Sequence, residues 1–305
     1  SSASAIRRIS VVGGGLIGSS MARLFIEQGL EVAVHDPDDS ARHRLQAAAA
    51  TWPAASARLS VHAHLGEALR EADFVLEAAP ERLPVKRELL ARIEAHIEAH
   101  TVIATATSSL LVSDMQTSMA HPQRLVAAHP FNPPHLIPLI EVAGSESTAG
   151  EALALTVDLF RRLGRQPVRL QREAVGHIAN RLSSALYREA VNIVASGIAT
   201  VADVDDAMRF GPGLRWAVMG PHMLYHLGAG EGGYARYLEH LGPTQEARWA
   251  DLGTPRLDGP TRQQLVDGVE AEAAGRAIST LCEERDQALL AILDALAALP
   301  GRTRP

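Results

Sequence analysis

The 305-residue sequence contains a single cysteine, a single lysine and few aromatics, 4% of its residues. With Cys282 alone, no intramolecular disulfide and no cysteine-built metal cluster can form, and a reducing cytoplasm is the expected setting. Metal-ligand spacing is lacking as well. His96 and His100 stand four residues apart, but Glu98 belongs to another helical face and no third ligand is near, so no metal is expected. No apolar run is long enough to span a bilayer, and the stretch from Ser1 to Arg8 has no apolar signal core. Basic charge is not in excess. Against 29 Lys+Arg stand 35 Asp+Glu, a net charge of −6 without a basic patch for nucleic acid. The expectation is a cytoplasmic globular protein whose partners include neither nucleic acid nor membrane.

What is present begins with a β-branched run that opens into glycines, Ile9-Ser-Val-Val-Gly13-Gly14-Gly15-Leu16-Ile17-Gly18. Gly13, Gly15 and Gly18 have the G-x-G-x-x-G spacing. The first suits a tight strand-to-helix turn, the second lets a pyrophosphate approach the backbone, and the third lets the helix pack on the strand. The next segment is apolar at helical spacing (Leu16, Met21, Leu24, Phe25), so the amides of its first turn, at Leu16 and Ile17, face an anion. Gly29 closes that helix, Glu31 to His35 reads as a strand, and Asp36 stands at the strand's end. A carboxylate there accepts from the adenosine ribose and repels a 2′-phosphate, which favours NAD over NADP. A glycine turn alone is weak evidence; strand, helix, second strand and acid in order predict a dinucleotide site.

Strands and helices go on alternating. Strands are predicted at 59–62, 73–77, 101–104, 125–128, 139–142 and 167–170, with helices at 85–100 and 150–163. This is the pattern of an α/β, doubly wound, mainly parallel Rossmann-type sheet. Beyond 171 the strand pattern stops. Helices follow at 178–196 and 201–210, shorter pieces run through Pro243, and 263–299 is a helical pair or one long helix. The expected organisation is an NAD-binding domain over 1–171 and a smaller all-helical substrate and dimerisation domain over 172–305, with a homodimer expected by analogy.

A doubly wound sheet presents functional groups at the C-terminal ends of its strands. His129 follows the strand at 125–128 and lies in His129-Pro-Phe-Asn132-Pro-Pro134, where three prolines stiffen the loop. Glu141 is on the adjacent strand, within reach of the ring's second nitrogen, where it would fix the tautomer and steady the imidazolium formed when His129 takes a proton. Alone, each residue reads as readily as a structural histidine and a solvated acid. Ser108, after the strand at 101–104, and Asn132 are candidates to donate to a substrate oxygen; Glu81 and Lys86 follow the strand at 73–77 and could flank the cofactor's ribose. Asn180 comes early in the first helix past the boundary, where a helix-surface amide is the plain alternative.

Taken in order, Gly13-Gly-Gly-Leu-Ile-Gly18, Pro80-Glu81-Arg-Leu-Pro-Val-Lys86, Thr107-Ser108-Ser109, His129-Pro-Phe-Asn132-Pro and Glu141 resemble the 3-hydroxyacyl-CoA dehydrogenase superfamily over nearly the whole first domain. The resemblance implies His129 as general base, Glu141 as its orienting partner, and Ser108, Asn132 and Asn180 around the reacting oxygen. It also puts Asp36, Glu81 and Lys86 on NAD. Departures narrow the branch: the usual Pro-Gly-Phe before Asn-Arg is here Val175-Gly176-His177, and Ala106 replaces a common asparagine. Phe210-Gly-Pro-Gly-Leu-Arg215-Trp216, with Gly228-Ala-Gly-Glu-Gly-Gly233 and Arg285-Asp286, looks like the branch of L-gulonate 3-dehydrogenase (lambda-crystallin) and L-carnitine dehydrogenase. That implies a free 3-hydroxy acid as the small-molecule substrate. The rivals are a CoA- or carrier-linked 3-hydroxyacyl substrate and a non-catalytic, crystallin-like NAD-binding protein. Arg215 meets either a substrate carboxylate or a partner subunit, and the sequence leaves both open.

Overall fold

A computed structural model of the protein describes residues 2–299, which form two compact units, one running to Arg181 and the other beginning at Leu182. The first is built on an eight-stranded sheet of β1 (Arg8–Val12), β2 (Glu31–His35), β3 (Leu59–His62), β4 (Phe74–Glu77), β5 (Val102–Thr105), β6 (Leu125–Pro130), β7 (Leu139–Ala143) and β8 (Gln166–Arg169). Their order is β3-β2-β1-β4-β5-β6-β7-β8. Every neighbouring pair is parallel except β6 with β7. The central strands β4, β5 and β6 are buried along their whole length, as parallel strands covered on both faces must be.

Alternate residues of each strand serve two cores. On one face, Val11, Leu76, Ala104 and Val126 pack under helices Leu16–Glu27 and Gly150–Arg162, whose Phe25 and Phe160 rings are 6.3 Å apart. On the other, Val75, Ile103 and Leu125 meet Leu90 and Ile93 of helix Leu83–Glu94. Strand order reverses between β1 and β4, the switch point at which a doubly wound sheet takes its ligand. The predicted helix over 85–100 stops early, at Glu94. Its carboxylate takes the amides of Ala120 (2.8 Å) and His121 (2.9 Å), and the chain turns with the Thr101 N–H on the Glu98 carbonyl. His96 and His100 therefore share no helical face.

The second unit is helical, with elements Val201–Phe210, Pro212–Trp216, Pro221–Gly228, Gly233–Asp251, Gly259–Ala273 and Ile278–Ala297. The stretch 263–299 is a pair: left-handed Ala274 (φ +52°) and Gly275 (φ +75°) break it. This unit buries few large apolar side chains, chiefly Val191, Val194, Val201 and Tyr237, while Phe210 is 71% exposed, Leu214 64%, Trp249 61% and Ile278 79%. Among the described residues no helix is long and apolar enough to cross a membrane.

Candidate active site

The glycine turn follows from its backbone. Gly13 has φ +112°, and its N–H donates to the His35 carbonyl at 2.8 Å, so β1 hands directly into the turn. A Cβ on Gly13 would stand 2.5 Å from the Ala78 carbonyl oxygen, and one on Gly18 only 1.8 Å from that of Gly13. Both contacts exclude any other residue. At Gly15 nothing lies within 4 Å of where a Cβ would be. That open approach ends in the first turn of helix Leu16–Glu27, whose leading amides at Leu16, Ile17 and Gly18 have no intrahelical acceptor. Asp36 closes the far side. Its carboxylate accepts from Gly14 N–H (2.8 Å) and Asp38 N–H (2.9 Å) at the end of β2. A clear glycine, unpaired amides and an acid beyond them fit a dinucleotide.

Glu81 and Lys86 take different positions. Glu81 is exposed and accepts from the Thr107 hydroxyl and from the Ser108 N–H (3.0 Å) and Oγ (3.2 Å), so it holds the turn after β5. Lys86 is 1% exposed; its Nζ donates to Glu77 Oε1 (2.8 Å), Glu77 Oε2 (3.0 Å) and the Ala79 carbonyl (3.0 Å). All three of its N–H bonds stay within the protein. Glu77, which no sequence pattern marked, also accepts from Thr105 Oγ1 (2.6 Å) and the Ala79 amide (2.7 Å), and so ties the ends of β4 and β5 together beside Gly13.

The centre of the site is a cross-strand pair. His129 is a residue of β6 itself and stands opposite Glu141 of antiparallel β7, so it is held by the sheet and not by the proline loop beyond. His129 is 7% exposed and Glu141 1%. A carboxylate can only accept, so His129 Nδ1–H donates to Glu141 Oε1 at 3.2 Å, and the basic nitrogen of the neutral ring is Nε2. Glu141 Oε2 accepts the backbone N–H groups of Ile178 (2.7 Å) and Ala179 (2.9 Å), which lead into helix Ala179–Ala195. Burial pushes the Glu141 carboxyl up. The bonds from His129, Ala179 and Ile178, with His177 nearby, outweigh that and hold it below the usual carboxylate range.

Asn180 immediately follows the amide of Ala179 and so lies one residue from the pair. Ser108 is half-buried on Glu81, and Asn132 is exposed just past the end of β6. Arg215 is exposed on the short helix Pro212–Trp216 of the second unit. Sequence reasoning singled out His177 only as a departure from phenylalanine. It is 4% exposed and stacks on His129, ring centroids 5.1 Å apart and planes at 26°.

With that geometry in place, comparison with known proteins is decisive. Residues 8–174 match the 3-hydroxyacyl-CoA dehydrogenase NAD binding domain, and 176–254 the C-terminal domain of the same enzymes. The chain belongs to the 3-hydroxyacyl-CoA dehydrogenase family. It is thus an NAD-binding oxidoreductase of that family. Among its relatives are proteins named L-carnitine dehydrogenase from Streptomyces griseus, 45% identical over 97% of this chain and 91% of that one, and from Streptomyces coelicolor, 44% identical over 96% of each. Among solved structures, 5-formyl-3-hydroxy-2-methylpyridine 4-carboxylic acid 5-dehydrogenase, described as an NAD⁺-dependent dismutase, superposes with a TM-score of 0.81. It is 28% identical, over 96% of this chain and 99% of that one.

Proposed function

We propose that this family member oxidises a small free 3-hydroxy acid of the L-carnitine type to the 3-oxo acid. The observation that carries the reading is the buried His129–Glu141 pair, with one ring nitrogen fixed by the carboxylate and the other left to act as general base. When bound, NAD⁺ supplies the acceptor for the hydride leaving C3. His129 Nε2 takes the hydroxyl proton as the C–O bond becomes a carbonyl, and Glu141 stabilises the imidazolium. Ser108, Asn132 and Asn180 are assigned as donors to the reacting oxygen, where such groups act on developing negative charge. Gly13, Gly15, Leu16, Ile17 and Gly18 seat the pyrophosphate, Asp36 takes the adenosine ribose, and Glu81 and Lys86 shape the strand ends under the other ribose.

Relatives named L-carnitine dehydrogenase support a free acid over a CoA thioester. The single lysine is held by Glu77, so the cations left to meet a CoA phosphate are arginines. In a panel of L-carnitine, L-gulonate and 3-hydroxybutyryl-CoA at equal concentration, followed by NADH absorbance, L-carnitine is expected to show the largest kcat/KM by at least about tenfold. A preference for the CoA thioester would overturn the free-acid reading. A chain that bound NADH yet turned over none of the three would support the structural, crystallin-like reading.

We infer that the second unit pairs with a second copy of the chain. The unit leaves many large apolar side chains exposed and buries few, which supports this reading because a homodimer would cover them. Sedimentation velocity at micromolar concentration is expected to give a two-chain particle, and a monomer would refute the assignment.

A further inference from the structure

We propose that His177 is a positioning residue for the base: a single imidazole that holds the His129 ring in its plane and ties it to the backbone carrying Ser108. The proposal rests on the reading of His129 as the base.

The hydrogen bond to Glu141 fixes one nitrogen of His129 but leaves the ring free to rock about that bond. The stacked ring of His177, 5.1 Å away by centroids, removes this freedom from one face. The same ring reaches the other half of the site. Its Nε2 lies 3.0 Å from the Thr107 carbonyl, which can only accept, so Nε2 carries the proton and donates. Thr107 is the residue before Ser108, and Glu81 holds both. One side chain therefore bridges the base and the turn bearing the assigned oxygen donor.

The backbone at this point is uncommon for a residue with a Cβ, although histidine enters it more often than most. Gly176 has φ +77° and His177 φ +51°, two left-handed residues in succession, and a residue with a Cβ persists there only where its surroundings over-determine it. Two results follow from the conformation: the ring is laid on His129, and the next two amides are turned onto Glu141 Oε2. His177 Nδ1 is buried without a hydrogen-bond partner.

The test is a double-mutant cycle in the full-length enzyme, using the panel compound that the wild type turns over, L-carnitine being expected. His177→Leu removes both ring and donor; His177→Gln keeps an N–H that can reach the Thr107 carbonyl but loses the stack. Each is measured alone and with His129→Asn. His177→Leu is expected to lower kcat by about 10²-fold, the cost of a small misplacement of a reacting group, with KM and the NADH Kd within about threefold. His177→Gln should recover about tenfold of that loss. In the His129→Asn background, His177→Leu should change the residual rate by less than about threefold, because there is no base left to position. Wild-type kcat in His177→Leu would overturn the proposal, as would the same fold loss with and without His129. Should the leucine variant not fold, His177→Gln alone and with His129→Asn supplies the same cycle. Undiminished turnover in His129→Asn by itself would instead remove the base reading, and this proposal with it.

Discussion

His129→Asn is expected to lower kcat by about 10³-fold while NADH binds as it does to the wild type. Asparagine keeps a polar group near Glu141 but has no nitrogen that can take a proton, so the hydroxyl must lose its proton to water. The glycine turn and Asp36 lie at the ends of β1 and β2, away from this change. Stopped-flow rates of NAD⁺ reduction with fluorescence titration of NADH measure the two quantities separately. Loss of both together would mean that His129 holds the fold of the site and not the reaction. Undiminished turnover would end the assignment.

Glu141→Gln has the second large effect, on turnover and on acid stability. The amide oxygen can keep the Ile178 and Ala179 N–H groups, but the amide nitrogen then meets His129 Nδ1–H, donor against donor. Relief comes from moving the ring proton to Nε2, the position that the proposed base must keep bare. In a Ser-His-Asp triad the same acid-to-amide change costs about 10⁴ in kcat; here a loss of at least about 10³ is expected. Glu141→Ala should cost a further 1–3 kcal/mol of stability, on the order of the penalty for leaving buried donors unmatched.

The pH dependence has a definite sign. Because the folded protein holds the Glu141 carboxyl below its ordinary value, its contribution to stability is complete above the unfolded value of about 4.3 and is lost as pH falls through the lower, folded one. Urea midpoints should therefore separate wild type from Glu141→Gln at pH 7 and converge as the pH drops below about 4. A gap that widened in acid would contradict the hydrogen-bonded carboxylate.

The glycine spacing, the acid at the end of β2 and the apolar strand runs are local patterns, and each was legible because one short segment carries its own constraint. That Glu141 lies on the strand next to His129 was legible too, but His129 read as a loop residue past its strand, because the antiparallel pairing with β7 that extends β6 through it leaves no local pattern. Pro243 reads as a stop, yet helix Gly233–Asp251 runs through it. Helix 85–100 was over-extended because its later residues keep a helical apolar pattern, while the claims on Glu94 come from amides distant in sequence. Glu77 and His177 were hidden for the same kind of reason. One is defined by a buried ion pair and the other by a left-handed turn, and neither leaves a periodic trace.

Because Glu141 faces His129 across paired strands, the backbone separation beneath this pair is set by the antiparallel ladder. A change of loop length elsewhere does not alter the register on which that separation depends. A pair seated this way is independent of the loops that would shape a substrate pocket, so those loops can be rebuilt for a different acid without moving the proposed base from its partner.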